Sequence, residues 1–529
     1  MKMRLFVMAA VAAATLATLR GQQPSAGAAG VQALDYYEIK QLYARFGHGL
    51  DTAEDNGAQF ANVFTSDGVF VDAAGKRYEG REQLAAYART DAGFPKGPSN
   101  VQHFTTDVAV DAVPGGARGH GVLLVVTPSG PAAAGRGPAR AISDGGPYWD
   151  DLVRTPEGWR IKTRTLVRAN GAAPALTSAG PSAAAAPVSM PHPFSAQDYA
   201  DIDQLYALFG YAFDSAADQG YAWANLMTPD GIFVNGTVIG SMKGRDINAA
   251  FAYGSLQFTG GFASLARGPV PAKNPLGIQH ILTDVMLEPT PDGGAAATVY
   301  RLNATIGANG QPNLAPGGLY HALLARTDEG WRFKENWYVN PNGPIPDGAK
   351  RFMPAHGPTA AVASVTAGQT PRASMPPLTL APEDDAEIRQ LYARVASAMD
   401  SGAENGNALA KLFTADGVLL DTWTNKVYAG RDQLASLARG TVADRKGATN
   451  VHEFIWTIKV EKAPQGVSSK SYMMTGMFQA PGQPILMTNG GQYWDDLVKT
   501  SDGWRIKKRT FYRTSQIPPP VALAPAPTR

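Results

Sequence analysis

The chain has 529 residues, of which 44% are hydrophobic and 17% are charged, and its formal net charge is +2. This composition is typical of globular domains, and a near-neutral chain without a basic stripe argues against a nucleic-acid partner. The complete absence of cysteine excludes disulfides and thiolate catalysis. At this length we expect three or four domains.

The first 30 residues have the pattern of a secretory signal peptide followed by a linker. Lys2 and Arg4 precede an uncharged, mostly apolar run over residues 5–19. This run is shorter than the roughly 20 residues that span a bilayer. An uncleaved anchor remains the alternative, because Arg20 closes the run. We predict a bacterial periplasmic or secreted protein, without stable membrane insertion once the signal is cleaved.

One pattern occurs three times along the chain. The stretch around Tyr43 returns around Tyr206 and Tyr392, and each unit ends on Gly-Trp-Arg. The repeat is far longer than the 20 to 50 residues of a solenoid unit, so each copy can bury its own core. Segments rich in Ala, Pro, Ser and Gly separate the copies and are typical of linkers. We therefore predict domains at 31–170, 195–345 and 380–515, linkers at 171–194 and 346–379, and a disordered tail at 516–529.

Each repeat begins with helices and continues with strands. In the first repeat, Ile39, Tyr43 and Phe46 belong to an apolar stripe at helical spacing, and Asp51 lies at the end of that helix. A second short helix carries Phe60, Val63 and Phe64 and ends at the Asp67-Gly68 turn, and a third begins at Gly80. Hydrophobic and polar residues then alternate, which predicts strands at 69–72, 101–110, 118–126, 148–153 and 159–167. This order predicts an α+β fold with a mostly antiparallel sheet.

Four motifs in this order resemble the SnoaL-like branch of the nuclear transport factor 2-like superfamily. They are Leu-Tyr-x7-Asp, Phe-Thr-x-Asp-Gly, Gly-Arg-x-x-Leu and Gly-Trp-Arg. Scytalone dehydratase and ketosteroid isomerase are relatives in that superfamily. The resemblance implies three tandem cone-shaped α+β barrels, each with a strongly bent sheet around three helices and a small-molecule pocket at the open end.

The resemblance also implies an acid–base dyad in two of the domains. Asp51 and His103 match its positions in domain 1, and Asp214 and His280 match them in domain 2. An imidazole titrates at about 6.5, and a neighbouring carboxylate orients it. We expect cofactor-free proton transfer on a small, largely apolar cyclic or carbonyl compound, as in a lyase or isomerase that catalyses dehydration, isomerisation or cyclisation.

Two alternatives remain open for these histidines. Duplication could preserve a histidine that only satisfies a hydrogen bond in the core, and the chain would then be a non-catalytic ligand-binding or assembly module whose domains pair within or between chains. No cofactor is expected. No metal is expected either, because each domain has one recurrent histidine without a second at ligand spacing.

Domain 3 departs from the dyad pattern. Aligned without gaps, Glu453 takes the place of His103, and His452 takes the place of Gln102. Neighbouring residues of a strand point to opposite faces, so His452 faces Asp400 only if the strand contains a bulge. We favour loss of the third dyad, with Asp400 opposite Glu453 and one of the two carboxyls protonated.

Two sets of tyrosines are further pocket candidates. The tyrosines of the first helix could also pack in the core with a hydrogen-bonded hydroxyl. The tyrosines of the later strand lie on the same face as the residue two positions after them, because side chains alternate along a strand. The strand motif Tyr-Trp-Asp-Asp ends at Asp151 and again at Asp496, and we expect these acidic pairs to be solvated. The candidates are Tyr43, Tyr206 and Tyr392 on the helices and Tyr148, Tyr320 and Tyr493 on the strands.

Overall fold

The computed structural model contains three units of helices and sheet, which confirms the predicted α+β class. No helix within the described ranges has both the length and the apolar character needed to cross a bilayer. The predicted signal segment and both central linkers lie outside those ranges. The structure describes residues 31–90, 101–130, 140–167, 193–235, 240–254, 256–259, 262–265, 278–307, 311–339, 380–444, 451–477 and 485–513.

Domain 1 packs three helices against one bent sheet of six strands. The strand order is β2-β1-β6-β5-β4-β3, and all neighbouring pairs are antiparallel except β1 with β6. Because β2 and β3 are the two edge strands and do not pair with each other, the sheet is open. Its elements are α1 (Ala33–Thr52), α2 (Ala58–Ala61), β1 (Phe64–Val71), β2 (Arg77–Glu79), α3 (Gly80–Thr90), β3 (Gln102–Val113), β4 (Gly116–Pro128), β5 (Arg140–Thr155) and β6 (Gly158–Leu166).

Two details of the predicted elements in domain 1 were wrong. The second helix ends at Ala61, and Phe64 instead begins β1. The Asp67-Gly68 turn lies inside that strand, where the register with β6 shifts between Phe64 and Val69. A Cβ on Gly68 would lie 2.7 Å from the Phe64 Cβ, so only glycine fits this bulge.

Domains 2 and 3 repeat the same order of elements and the same strand topology. Domain 2 has one additional hairpin, β9 with β10. Its elements are α4 (Ala196–Ser215), α5 (Tyr221–Ala224), β7 (Met227–Asn235), β8 (Gly240–Lys243), α6 (Arg245–Tyr253), β9 (Leu256–Thr259), β10 (Phe262–Leu265), β11 (Ile278–Pro289), β12 (Ala295–Ile306), β13 (Pro312–Thr327) and β14 (Gly330–Val339). Those of domain 3 are α7 (Pro382–Ser401), α8 (Asn407–Ala410), β15 (Phe413–Asp421), β16 (Lys426–Ala429), α9 (Gly430–Asp444), β17 (Val451–Ala463), β18 (Gly466–Met477), β19 (Leu486–Thr500) and β20 (Gly503–Arg513).

The three domains pack on one another in a cyclic order. The first helix of each domain lies against the dyad strand of the next, so α1 contacts β11, α4 contacts β17 and α7 contacts β3. One glutamine on each helix bonds to the backbone of that strand. The Gln41 side chain donates to Val285 O and accepts from Leu287 N, and Gln204 forms the same pair of bonds with Val460. The chain is thus folded as an internal trimer.

The outer sheet faces of the three domains meet in a shared apolar core. Because each sheet is apolar on both faces, the domains bury surface that a single cone would leave exposed to water. This core contains Phe104, Val122, Leu124, Val126, Ile142, Ile281, Tyr300, Leu302, Ala304, Ile306, Leu319, Val339, Phe454, Trp456, Tyr472, Met474, Ile485 and Met487.

Candidate functional site

The predicted dyads of domains 1 and 2 are hydrogen-bonded pairs buried in the fold. Asp51, in the last turn of α1, is completely buried, and its Oδ1 lies 2.5 Å from Nδ1 of His103. The backbone N–H of His103 donates to the other carboxylate oxygen at 3.0 Å. In domain 2, Nδ1 of His280 bonds to Asp214 in the same way, and its backbone N–H donates at 2.8 Å. Each carboxylate therefore fixes both the strand and the ring of its histidine.

These contacts define the tautomer of the imidazole. A hydrogen on Nδ1 directed at the carboxylate leaves a lone pair on Nε2. In domain 2, Nη2 of Arg301 lies 2.8 Å from Nε2 of His280. A guanidinium can only donate, so this contact requires the same tautomer. Nε2 is thus the basic nitrogen of the ring.

A close approach of helix and strand sets the dyad geometry. A Cβ on Gly47 would lie 2.4 Å from the carbonyl oxygen of His103, and one on Gly210 would lie 2.8 Å from that of His280. Only glycine allows α1 and α4 to come this close to their strands. Domain 3 has Ala396 at the matching position, which fits its different dyad geometry.

A tyrosine from the next domain completes each of these two sites. The hydroxyl of Tyr300, in domain 2, donates to Asp51, and that of Tyr472, in domain 3, donates to Asp214 at 2.7 Å. Burial first, and then the neighbouring aspartate, raises the pKa of both tyrosines well above the usual 10, so both remain neutral donors. Sequence analysis missed this partner, because no local signal marks a contact between residues about 250 positions apart. The matching position in domain 1 is Val122.

The expected loss of the histidine contact in domain 3 is wrong. Nδ1 of His452 lies 3.1 Å from Oδ2 of Asp400. The register of β17 with β18 shows no bulge at His452, so its ring reaches Asp400 from the opposite face. Glu453 occupies the predicted position: its backbone N–H donates to Asp400 at 2.9 Å, and its side chain accepts from Tyr493 at 3.0 Å. The third pair therefore exists with a different geometry.

The first acid of each strand pair, Asp150 or Asp495, is buried, which contradicts the expected solvated edge, whereas Asp151 is half-buried and Asp496 is exposed. Arg164 donates to both oxygens of Asp150 at 2.8 and 2.6 Å, and the Tyr43 hydroxyl bonds to the same carboxylate. The guanidinium lies 4.2 Å from the ring centre of Tyr148. Sequence analysis missed Arg164, because a lone arginine on a strand is normally exposed. In domain 3 the same set is formed by Tyr392, Asp495, Arg509 and Tyr493.

The tyrosines predicted to line pockets are all buried in the core, and their ligand role stays a prediction. Tyr206 and Tyr320 take the matching places in domain 2, where they are also buried. The segments 91–100 and 266–277, which precede the dyad strands, lie outside the described residues. The enclosed pocket expected above each dyad therefore also stays a prediction.

A cavity lies between the domains, where their first helices meet. Its volume is about 130 Å³, and its lining includes Tyr37, Lys40, Asp203, Asp284 and Arg389. Within the described ranges, no three His, Asp, Glu or Cys side chains converge as a metal site.

The three repeats also match a known family. The sequence model of the SnoaL-like domain matches residues 31–165, 195–336 and 381–510, which together make up more than half of the chain. The chain belongs to the SnoaL-like family. It contains three SnoaL-like domains in tandem, each with its helices before its main strands.

Solved structures similar to the chain each align with about one SnoaL-like domain. An NTF2-like protein with a cystatin-like fold from Novosphingobium aromaticivorans is 22% identical, covers 24% of this chain and 80% of its own, and has a TM-score of 0.22. ActVI-ORFA from Streptomyces coelicolor is 21% identical, with 27% and 96% covered and a TM-score of 0.22. A putative scytalone dehydratase from Novosphingobium aromaticivorans is 20% identical, with 24% and 80% covered and a TM-score of 0.20. No curated protein gave a match.

Proposed function

We propose that the protein binds small organic molecules in its SnoaL-like cones, and that the dyads of domains 1 and 2 transfer protons without a cofactor. The observation that carries this proposal is the buried Asp–His pair with its tyrosine, present in both domains. Asp51 accepts bonds from the His103 backbone, the His103 ring and Tyr300. Such a carboxylate holds the imidazole in one tautomer and one orientation.

The chemistry follows from Nε2 of the imidazole, the ring nitrogen that carries no hydrogen. Nε2 accepts a proton from carbon next to a carbonyl, and Asp51 or Asp214 stabilises the imidazolium that results. The imidazolium then returns the proton to a leaving hydroxyl, or to a different carbon. Dehydration and isomerisation both follow this sequence, and positioned acid–base groups contribute about 10²–10⁴ in rate.

The test begins with a metabolite mixture screened for mass bound to the purified protein. Turnover of the compound found is then measured in Asp51→Asn, Asp214→Asn and Asp400→Asn variants. We expect each of the first two variants to lose the turnover that its own domain contributes, and the double variant Asp51→Asn with Asp214→Asn to lose about 10²- to 10⁴-fold. Asp400→Asn is the matched control, because its histidine contacts it from the opposite face. Equal damage from all three variants, or none from the first two, would reject the dyad mechanism.

A non-catalytic ligand-binding module is the second candidate function. It is favoured by the Asp150–Arg164 and Asp495–Arg509 pairs, which occupy the cone interiors of domains 1 and 3. Assembly between chains has less support, because the outer sheet faces already pack within the chain. A bound compound recovered after long incubation with both its mass and its NMR spectrum unchanged would favour this second function.

We also propose that the domains act after export from a bacterial cell. The support is the basic start and the uncharged run over residues 5–19. Cell fractionation followed by N-terminal sequencing tests it. A mature start within residues 18–31 in the periplasm or medium is expected, and an intact Met1 in the cytoplasm would contradict export.

A further inference from the structure

Domain 2 differs from its two neighbours in the interior of its cone. Where domains 1 and 3 have the buried Asp–Arg pair, domain 2 has Ala322 facing Asn336 on the adjacent strand. Neither replacement carries a charge, and both side chains are shorter. The same chain thus contains two cones closed by an ion pair and one that lacks it.

The replacement leaves polar groups of domain 2 without partners. Both amide atoms of Asn336 and the hydroxyl of Tyr206 are buried and have no hydrogen bond within the described part of the chain. In domain 1 the equivalent Tyr43 donates to Asp150. Buried polar groups are normally paired, and unpaired ones point to a functional role. Burial also raises the pKa of Tyr206 well above its usual value, so its hydroxyl keeps its proton.

Aromatic rings surround these polar groups. The ring of Phe333 lies 5.2 Å from that of Tyr206 and 5.4 Å from that of Phe209, and Phe209 lies 5.2 Å from Tyr320. These rings pack edge to face on one another, so the interior beside Tyr206 is aromatic, and an aromatic ligand would have favourable ring partners there.

A cation lies further along the same interior. Arg301 stacks on Tyr338 at 4.3 Å and donates to Nε2 of His280, and no carboxylate among the described residues forms an ion pair with it. Tyr338 and Asn336 share one face of β14, so their Cα atoms are about 7 Å apart. Domains 1 and 3 have Leu123 and Met473 in place of Arg301.

We propose that the cone of domain 2 is the one that binds small aromatic acids, and that its ligand carries a second hydrogen-bonding group. The acid oxygen binds Arg301 beside His280. The second group binds the Asn336 amide and the Tyr206 hydroxyl. This assignment rests on the proposed function, in which the cones bind small molecules, and it adds which cone binds and what chemistry it recognises.

Calorimetric titration of the full-length protein with 4-hydroxybenzoate tests this assignment. We expect saturable binding at sub-millimolar concentration with one molecule per chain. Benzoate lacks the hydroxyl and 4-hydroxybenzamide lacks the charge, so each should bind at least about tenfold more weakly. No binding of 4-hydroxybenzoate at millimolar concentration, or two or three molecules per chain, would overturn the proposal.

Two sets of substitutions locate the site. The double change Ala322→Asp with Asn336→Arg rebuilds the ion pair of the other cones and should abolish binding. The matched change in domain 1, Asp150→Ala with Arg164→Asn, should lower stability and leave affinity for 4-hydroxybenzoate unchanged. Binding that survives the first change refutes the assignment to domain 2.

A single variant separates a ligand role of Asn336 from a structural one. Asn336→Leu removes an unpaired amide, so the ligand-free protein should melt about 2–4 °C higher while losing affinity for 4-hydroxybenzoate. A lower melting temperature would mean that the amide stabilises the fold, and would count against the proposal. If 4-hydroxybenzoate binds as expected but no substrate is converted, proton transfer is rejected and the binding assignment stands. If turnover depends on the dyads but 4-hydroxybenzoate binds outside domain 2, the binding assignment is rejected and proton transfer stands.

Discussion

At the residue scale, a buried acid links each of two dyad strands to its neighbour. Asp284 follows the bulge of β11 with a φ of 53°, and its carboxyl accepts from the backbone N–H of Thr105 in domain 1. Asp107 takes the same conformation and accepts from Ile455 in domain 3. Burial is the main reason that the pKa of both acids lies well above the usual value. Both acids therefore stay protonated further up the pH scale than an exposed aspartate.

The effect of these acids on stability has a definite sign. An acid whose pKa is higher in the folded state takes up a proton on folding, so stability falls as pH rises above about 4 toward the folded-state value. The slope reaches about 1.4 kcal/mol per pH unit for each acid. Asp284→Asn should keep the left-handed backbone conformation, which asparagine tolerates, and remove this slope.

Urea denaturation at several pH values between 4.5 and 8 measures this prediction. The variant should gain stability over the parent protein as pH rises. Asp502→Asn at an exposed turn is the control and should leave the curve unchanged. Parallel curves for Asp284→Asn and the parent would show that Asp284 is ionised in both states.

At the element scale, the fit of α1 against β3 determines where the dyad forms. The Asp and the His come from different elements, so their hydrogen bond requires the closest possible approach of helix to strand. Gly47 permits that approach, and Phe46 beside it packs against Phe60 at 4.8 Å to anchor the helix. The dyad is thus a product of packing between elements, with glycine as the condition.

Gly47→Ala should lower the free energy of unfolding by about 1–3 kcal/mol, because the new Cβ meets the rigid backbone at His103. It should also reduce turnover by domain 1, since the helix must move away from the strand. Gly440→Ala is the matched control, because that glycine of α9 has no atom within 4 Å of an added Cβ. There we expect a gain of up to about 1 kcal/mol from helix propensity. An unchanged free energy of unfolding in Gly47→Ala would mean that α1 and β3 can move apart without loss of stability.

At the scale of the whole molecule, fusion of the repeats allows each domain to carry a different charge where their first helices meet. The same position in the three repeats is occupied by Lys40, Asp203 and Arg389. Asp203 forms an ion pair with each of the two cations. Three copies of any one domain would bring three like charges to this place. Burial tends to raise the pKa of Asp203, but the attraction of Lys40 and Arg389 outweighs it and holds that pKa below its usual value.

Asp203→Lys should destabilise the full chain by about 2–5 kcal/mol, because it removes the acid paired with Lys40, leaves Arg389 paired with Asp385 alone and adds a third cation. Adding Lys40→Asp to this variant restores a set of one anion and two cations and should recover much of the loss. Denaturant unfolding measures both proteins, and Lys411→Asp at an exposed ion pair serves as the control. If the double variant is no more stable than Asp203→Lys, the order of charges does not determine domain packing.

Much of the fold could be predicted from sequence, because its signals are local. The apolar stripe of α1, the alternation of β3 to β6 and the threefold repeat are patterns within single elements. The wrong predictions also have physical reasons. Phe64 was assigned to a helix although it begins β1, since a bulged strand with an Asp-Gly turn shows no regular alternation. Asp150 was expected in water because its partner Arg164 is brought to it only by strand pairing.

The order of residues along the chain is enough to predict that three SnoaL-like cones follow one another and that Asp51 with His103, and Asp214 with His280, are the residues to compare. Motif order and spacing along the chain are sufficient for that. Three features of the sites became known from the folded structure alone. His452 reaches Asp400 from the opposite face. Tyr300 and Tyr472 complete the dyads of other domains, and domain 2 lacks the central ion pair. These features depend on which faces meet across hundreds of residues, and packing sets that in three dimensions, where local periodicity carries no information.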